Sequence, residues 1–189
     1  MYYMSTQYLS MRILIFFLLP FVAGCGGRII NTPASNTVEN DAPLVSRLPD
    51  IPGLQTYDGT SFSLAAFYGK PLVIISWETA CERCGEQLIQ AAFVRRQLGG
   101  VIPFIAINRR EPSSVAKAFT DSLGITNELS LAVDNEDFFY RTIGGSSLPE
   151  ILFVTPERDI LFHEKGYVAF ESLQEKALVL LENMSNDAP

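Results

Sequence analysis

From Leu48 onward, apolar runs of strand length alternate with segments of helical period. Leu72-Val73-Ile74-Ile75-Ser76-Trp77 is continuous enough to form a strand buried on both faces. The next run, about 81–98, predicts a helix with Cys84, Leu88, Ala91 and Ala92 on its buried face and Ile89 and Phe93 alongside, closed by Gly99-Gly100. Val101–Asn108 predicts the next strand, with Pro103 near its start. Pro112-Ser113-Ser114 opens a helix carrying Val115, Phe119 and Leu123 and stopped at Gly124. Ser61–Leu64 and Leu129–Val133 predict short extended pieces, and Asp137–Ile143 a short helix before Gly144-Gly145. Glu150–Thr155 and Ile160–Lys165 predict a hairpin around Pro156-Glu157-Arg158-Asp159. The last helix aligns Phe170, Leu173, Ala177, Leu180 and Leu181. The order is β-α-β-α, then ββα, so the expected fold class is α/β with a central mixed sheet flanked by helices.

The first 47 residues follow a different pattern. Arg12 is the sole charge before Arg28, and Ile13–Ala23 is an apolar run broken by Pro20. That run is short for a membrane span and suits the core of a signal peptide. It ends Val22-Ala23-Gly24-Cys25, which resembles a bacterial lipobox. Residues 1–24 are therefore expected to be a lipoprotein signal peptide and Cys25 the lipidated residue. A plain signal peptide, or an uncleaved anchor with a spare Cys25, is the alternative. Met11-Arg12 makes a better n-region than Met1. Residues 25–47, rich in Asn, Thr, Ser, Pro and Ala, form a candidate tether reaching about 27 Å root-mean-square. A disordered leader without a spacing role fits equally. The domain is expected over 48–189.

Composition narrows the chemistry. Among 189 residues, 48% are hydrophobic, enough for one domain with a core. The net charge of −7 argues against a nucleic-acid partner, which needs a basic face. No Gly-rich phosphate loop or dinucleotide fingerprint occurs, so no organic cofactor is expected. There are three cysteines. With Cys25 assigned to lipid, the remaining two are Cys81 and Cys84, in Cys81-Glu82-Arg83-Cys84. They stand where the buried strand hands over to a helix. Helix N-termini carry free N–H groups and partial positive charge, which favour a thiolate. The thiolate is the attacking species in disulfide exchange. Positions i and i+3 are close enough on a helix for a disulfide.

The ordered set Gly69-Lys70-Pro71, Trp77 to Cys84, Tyr140 with Gly144, Leu148-Pro149, and the hairpin ending in Gly166 resembles the thioredoxin superfamily. More narrowly, it resembles the membrane-tethered TlpA and ResA group of thiol–disulfide oxidoreductases, over about residues 48–184. The resemblance implies a thioredoxin-like fold. It implies Cys81 as nucleophile, Cys84 as resolving thiol, Trp77 packed beside them, and Pro149 as a cis-proline facing the pair. It further implies that the backbone at Leu148 binds an extended substrate. Glu82 also occurs in ResA-like members. Glu82 should disfavour and Arg83 favour the Cys81 thiolate, unless both are simply solvated charges. The implied partners are protein disulfides or dithiols, a membrane electron donor, and the membrane itself through the lipid. The implied place is the bacterial cell envelope, facing the periplasm or its equivalent, with apocytochrome c or another exported protein as substrate.

The chain also departs from that family. Ala80 stands where an aromatic is common, Ile75 where a buried Asp or Asn is usual, and Gln87 where the helix usually carries Glu. The proton acceptors expected for Cys84 are thus missing, with Glu82 and Glu86 as possible substitutes. Three readings of the dithiol remain: disulfide exchange, Cu(I) binding with His163 as a third ligand, and a non-enzymatic interaction protein. Zinc is disfavoured because a closed site needs four ligands. No metal is assigned. His163 is expected on the surface or half-buried in the hairpin strand. Arg109-Arg110-Glu111 is expected to be a solvated charge run, and Phe138, Phe139 and Tyr140 core or loop anchors.

Overall fold

The computed structural model describes residues 46–186, with side chains through 183. The expectations for residues 1–45, Cys25 included, lie outside the described residues. The strands are β1 (Leu72–Trp77), β2 (Phe104–Arg109), β3 (Ser130–Asp134), β4 (Glu150–Val154) and β5 (Ile160–Lys165). The α-helices are α1 (Cys84–Gln97), α2 (Ser113–Ser122), α3 (Phe138–Thr142) and α4 (Phe170–Asn186). The sheet order is β3-β2-β1-β4-β5. β1, β2 and β3 run parallel, while β4 is antiparallel to both β1 and β5. Two successive crossovers step the same way across the sheet. Right-handed connection therefore puts α1 and α2 on one face.

All six residues of β1 are buried, as its unbroken apolar run requires. Burial of each large aliphatic there contributes about 1.5–3 kcal/mol. Val73, Ile75 and Trp77 pack with Cys84, Leu88, Ala91, Ala116, Leu173 and Ala177, on what is called here the α1 face. Leu72 and Ile74 pack with Leu64, Ile107, Phe139, Ile143 and Leu152, on the α3 face.

Several boundaries differ from expectation. Residues 61–64 are not a strand: Ser61 makes one bridge to Gln55, and Ser63 caps a 3-10 turn over Leu64–Phe67. Helix α1 begins at Cys84, not at residue 81, because Cys81 still belongs to the preceding turn. Its buried face includes Gln87 and Val94, while Ile89 and Phe93 are exposed. Strand β2 starts at Phe104, after Pro103, whose carbonyl accepts from Val73 N–H. Val101 and Val115 are exposed; α2 buries Ala116 and Thr120 instead.

Candidate functional site: a dithiol at the head of helix α1

Cys81 and Cys84 form a disulfide, with S–S 2.10 Å and Cα–Cα 5.4 Å. Cys84 is fully buried against Trp77 and the α1 core, whereas Cys81 is only partly buried. One sulfur is thus open to a partner and the other is shielded. Trp77 is itself buried and stacks on Phe119 with centroids 5.4 Å apart. Gly85 allows α1 to lie this close to α2: a Cβ there would sit 3.3 Å from the Phe119 ring.

The turn before Cys81 is held by a residue that sequence reasoning assigned to solvent. Glu111 accepts from Thr79 N–H at 3.0 and 3.2 Å, from the Thr79 hydroxyl at 2.5 Å, and from Asn108 Nδ2 at 2.6 Å. Nor is Arg109 a solvated charge. It makes two hydrogen bonds to Asp137, at 2.7 and 2.8 Å, and its guanidinium lies 3.5 Å from the Tyr140 ring centroid. The parallel register explains both corrections. Strands β1 and β2 end together, so the residues just after β2 lie beside the turn that leaves β1.

Glu82 and Arg83 are both exposed. Arg83 stacks over Tyr167 at 3.8 Å and pairs with Glu86 at 3.2 Å, while Tyr167 donates to Glu86 at 2.6 Å. Gln87, in the place of the usual Glu, accepts from Val168 N–H at 2.8 Å. These contacts tie the β5–α4 loop to the first turns of α1. Neither Tyr167 nor the role of Gln87 had a sequence signal beyond helical spacing.

The Leu148–Pro149 peptide is cis. Glu150 pairs with Ser76, so antiparallel continuation sets Pro149 opposite Trp77 and Leu148 one step beyond. Leu148 and Cys81 border the same apolar cluster. Beneath this loop, on the α3 face, lie Glu150 and His163, whose side chains are 0% and 2% exposed. His163 is half-buried as a residue, as expected, but its side chain is almost fully enclosed, and its Nε2 lies 2.5 Å from Glu150 Oε1. Register puts it across the sheet from the face that carries Cys84, so it does not stand as a third ligand beside the thiols. Among the described residues no group of three or more His, Cys, Asp or Glu side chains is arranged to hold a metal. Burial, and next the Glu150 carboxylate, raise the Tyr140 phenol to about 12.

No protein-family model matches this sequence, and no curated protein matches it significantly. Solved structures do. A thiol:disulfide interchange protein of the thioredoxin family from Chlorobium tepidum superposes with TM-score 0.61 and 19% identity, covering 72% of this chain and 96% of its own. A secreted disulfide oxidoreductase from Mycobacterium tuberculosis gives 0.60 and 16%, covering 70% and 96%. The exposed lipoprotein thioredoxin of Streptococcus pneumoniae gives 0.58 and 19%, covering 70% and 100%. The fold is thioredoxin-like. Within it, Cys81 and Cys84 are CxxC-spaced at the head of the first helix after the central strand. Among the described residues no helix is long and apolar enough to cross a membrane.

Proposed function

We propose that this protein is an extracytoplasmic, lipid-anchored thiol–disulfide oxidoreductase that reduces protein disulfides through Cys81 and Cys84. The observation that carries the reading is the asymmetry of the pair: an accessible Cys81 before α1 and a buried Cys84 in its first turn. In the dithiol form, the Cys81 thiolate attacks a substrate disulfide. A Cys81–substrate bond forms, and the first substrate sulfur leaves as a thiolate that takes a proton. The Cys84 thiolate then attacks Cys81 Sγ, releasing the second substrate sulfur and closing the Cys81–Cys84 disulfide. Two electrons pass to the substrate, and a membrane electron donor restores the dithiol.

Trp77 and the Glu111-held turn fix the pair, and the Leu148 backbone offers an edge for an extended segment. Arg83, engaged by Tyr167 and Glu86, is restrained near the thiols, and exposed Glu82 adds a negative charge next to Cys81. The lipobox-like Val22-Ala23-Gly24-Cys25 supports anchorage at the envelope surface. An exported protein such as apocytochrome c is the substrate class the resemblance suggests.

The test is a redox titration of the full chain in detergent, with thiols trapped by alkylation. A reversible two-electron midpoint at or below about −200 mV is expected. A value near about −120 mV reverses the direction of electron flow. A pair that never cycles refutes the enzyme reading. A Cys84→Ser variant should accumulate mixed disulfides at Cys81.

A further inference from the structure

We propose that His163 is a positioning residue for the substrate-binding loop, acting through Glu150; this rests on the exchange reaction above. Glu150 begins β4 directly after Pro149, and its carboxylate is fully buried. A buried carboxylate without partners carries a large desolvation cost. Here one oxygen faces His163 Nε2 at 2.5 Å, and the other accepts from the N–H groups of Ser146 at 3.0 Å and Ser147 at 3.4 Å. The carboxylate therefore joins strand β5 to the loop that ends in Leu148-Pro149.

Strand pairing explains why a histidine can do this. Glu150 pairs with Lys165, and His163 lies two residues away on the same face of β5. Diagonal neighbours of this kind are within reach of long side chains. Glu150 already accepts from two amides, so Nε2 is the donor. His163 Nδ1 is buried and has no hydrogen-bond partner. Nε2 is therefore the ring atom through which His163 acts on the carboxylate.

The rest of the loop is held close by. Gly145 passes over Tyr140, where a Cβ would fall 2.4 Å from a ring carbon. Gly166 N–H donates to the Pro149 carbonyl at 2.8 Å. Between these two points the Ser146–Ser147 backbone depends on Glu150. Without His163, the carboxylate loses its shortest bond and is free to turn away, and the two amides go with it. The Leu148 edge then loses its position, while the dithiol, held by α1 and by the turn that Glu111 fixes, does not.

This separates two kinds of substrate. Full-length wild type, His163→Ala and His163→Gln, reduced in detergent, are each mixed with an extended peptide carrying a glutathione mixed disulfide, and separately with the small disulfide dithiobis(nitrobenzoate). In His163→Ala the peptide reaction should fall about tenfold or more, mainly through KM, because small misplacements of a binding edge are costly. The small disulfide and the midpoint potential should stay within about twofold and about 10 mV of wild type. Gln has a side-chain N–H donor of similar reach and should restore most of the peptide rate. Amide hydrogen exchange at Ser146 and Ser147 should quicken at least about tenfold in the alanine variant, whether or not the protein is an active exchanger. Equal losses with both disulfides, no loss with the peptide, failure of Gln to rescue, or unchanged amide protection each overturn the proposal. A wild type inert toward both disulfides overturns the exchange reading instead, and the amide measurement still decides whether His163 holds the loop.

Discussion

The two faces of the sheet meet the dithiol end with opposite chemistry. On the α1 face, beside Cys84, the buried polar side chains are Gln87, Asn108 and Thr120, all neutral. On the α3 face, beneath the Leu148-Pro149 loop, they include the carboxylates of Asp134, Asp137 and Glu150, each matched with donors. Asp134, for example, accepts from the N–H groups of Phe138 and Phe139 at the start of α3. One face therefore holds the Cys84 sulfur in an apolar setting, and the other uses charge to fix backbone. A buried thiol in a neutral setting has no adjacent carboxylate to take its proton. Under the proposed exchange, the loop that offers its backbone to a substrate gains rigidity from a satisfied ionic network.

Placing a carboxylate on the neutral face is the strongest way to break this contrast. Gln87 lies three residues after Cys84, on the same side of α1. Its Nε2 has no partner, and its Oε1 accepts from Val168 N–H. In Gln87→Glu the carboxylate keeps the Val168 bond and gives Cys84 a nearby proton acceptor. Decay of the Cys81 mixed disulfide, followed in a single turnover near pH 7, should accelerate by up to about 10²-fold, the lower end of general-base effects. An unchanged rate means the Cys84 proton leaves by another route, and the neutrality of this face is then irrelevant to turnover.

Glu111 is the exception on the α1 side, a partly buried carboxylate with donors from Thr79 and Asn108. Removing it tests whether charge used to fix backbone matters as much here as beneath the loop. Glu111→Ala strands the Thr79 N–H and the Asn108 amide, which should cost about 1–3 kcal/mol in denaturant unfolding of the oxidised protein. Glu111→Gln keeps one acceptor and should lose less. If the alanine variant loses under about 0.5 kcal/mol, a net hydrogen bond's minimum worth, solvent holds this turn as well as the carboxylate does.

The sequence made the chemistry of the α1 face legible because that chemistry is local. A buried strand, a Cys pair at i and i+3, and a helical period together specify strand, thiols and helix. The polar networks were harder to read because they are long-range. Glu111 meets Thr79 across 32 positions, and Tyr167 meets Glu86 across 81. Such pairings depend on register, which a single sequence does not print. The charge run at 109–111 looked solvated because charge runs usually are, yet strand β2 ends there and turns two of its members inward. Glu150 offered one usable signal: a carboxylate opening a strand otherwise made of Ile, Leu, Phe and Val needs a buried partner. Helix α1 started late because Cys81 lies in a turn whose N–H bonds back to Glu78, which no periodicity reveals.

The contrast between the faces also has a titration signature, the smallest of the expected effects. Tyr57 borders the α1 core and Tyr140 the α3 network, and both phenols are raised from 10.0 to about 12. Burial is the largest cause for each. For Tyr140 the Glu150 carboxylate comes next, with Arg109 opposing it; for Tyr57 the next influence is the nearby Thr120 side chain, which lowers it. A phenol whose folded value exceeds its unfolded one binds its proton more tightly in the native state. Its stabilising contribution is therefore complete below pH 10 and is lost as pH climbs toward 12. Ultraviolet titration should show Tyr57 and Tyr140 among the late phenols of the wild type, their contribution to unfolding free energy level up to pH 10 and falling above it. Glu150→Gln removes the negative charge from one face only. It should bring the Tyr140 transition down while leaving that of Tyr57 in place, with Tyr140→Phe identifying which transition is which. If both transitions move together, or neither moves, the raised phenols reflect burial alone, and charge on the α3 face reaches no further than the loop it holds.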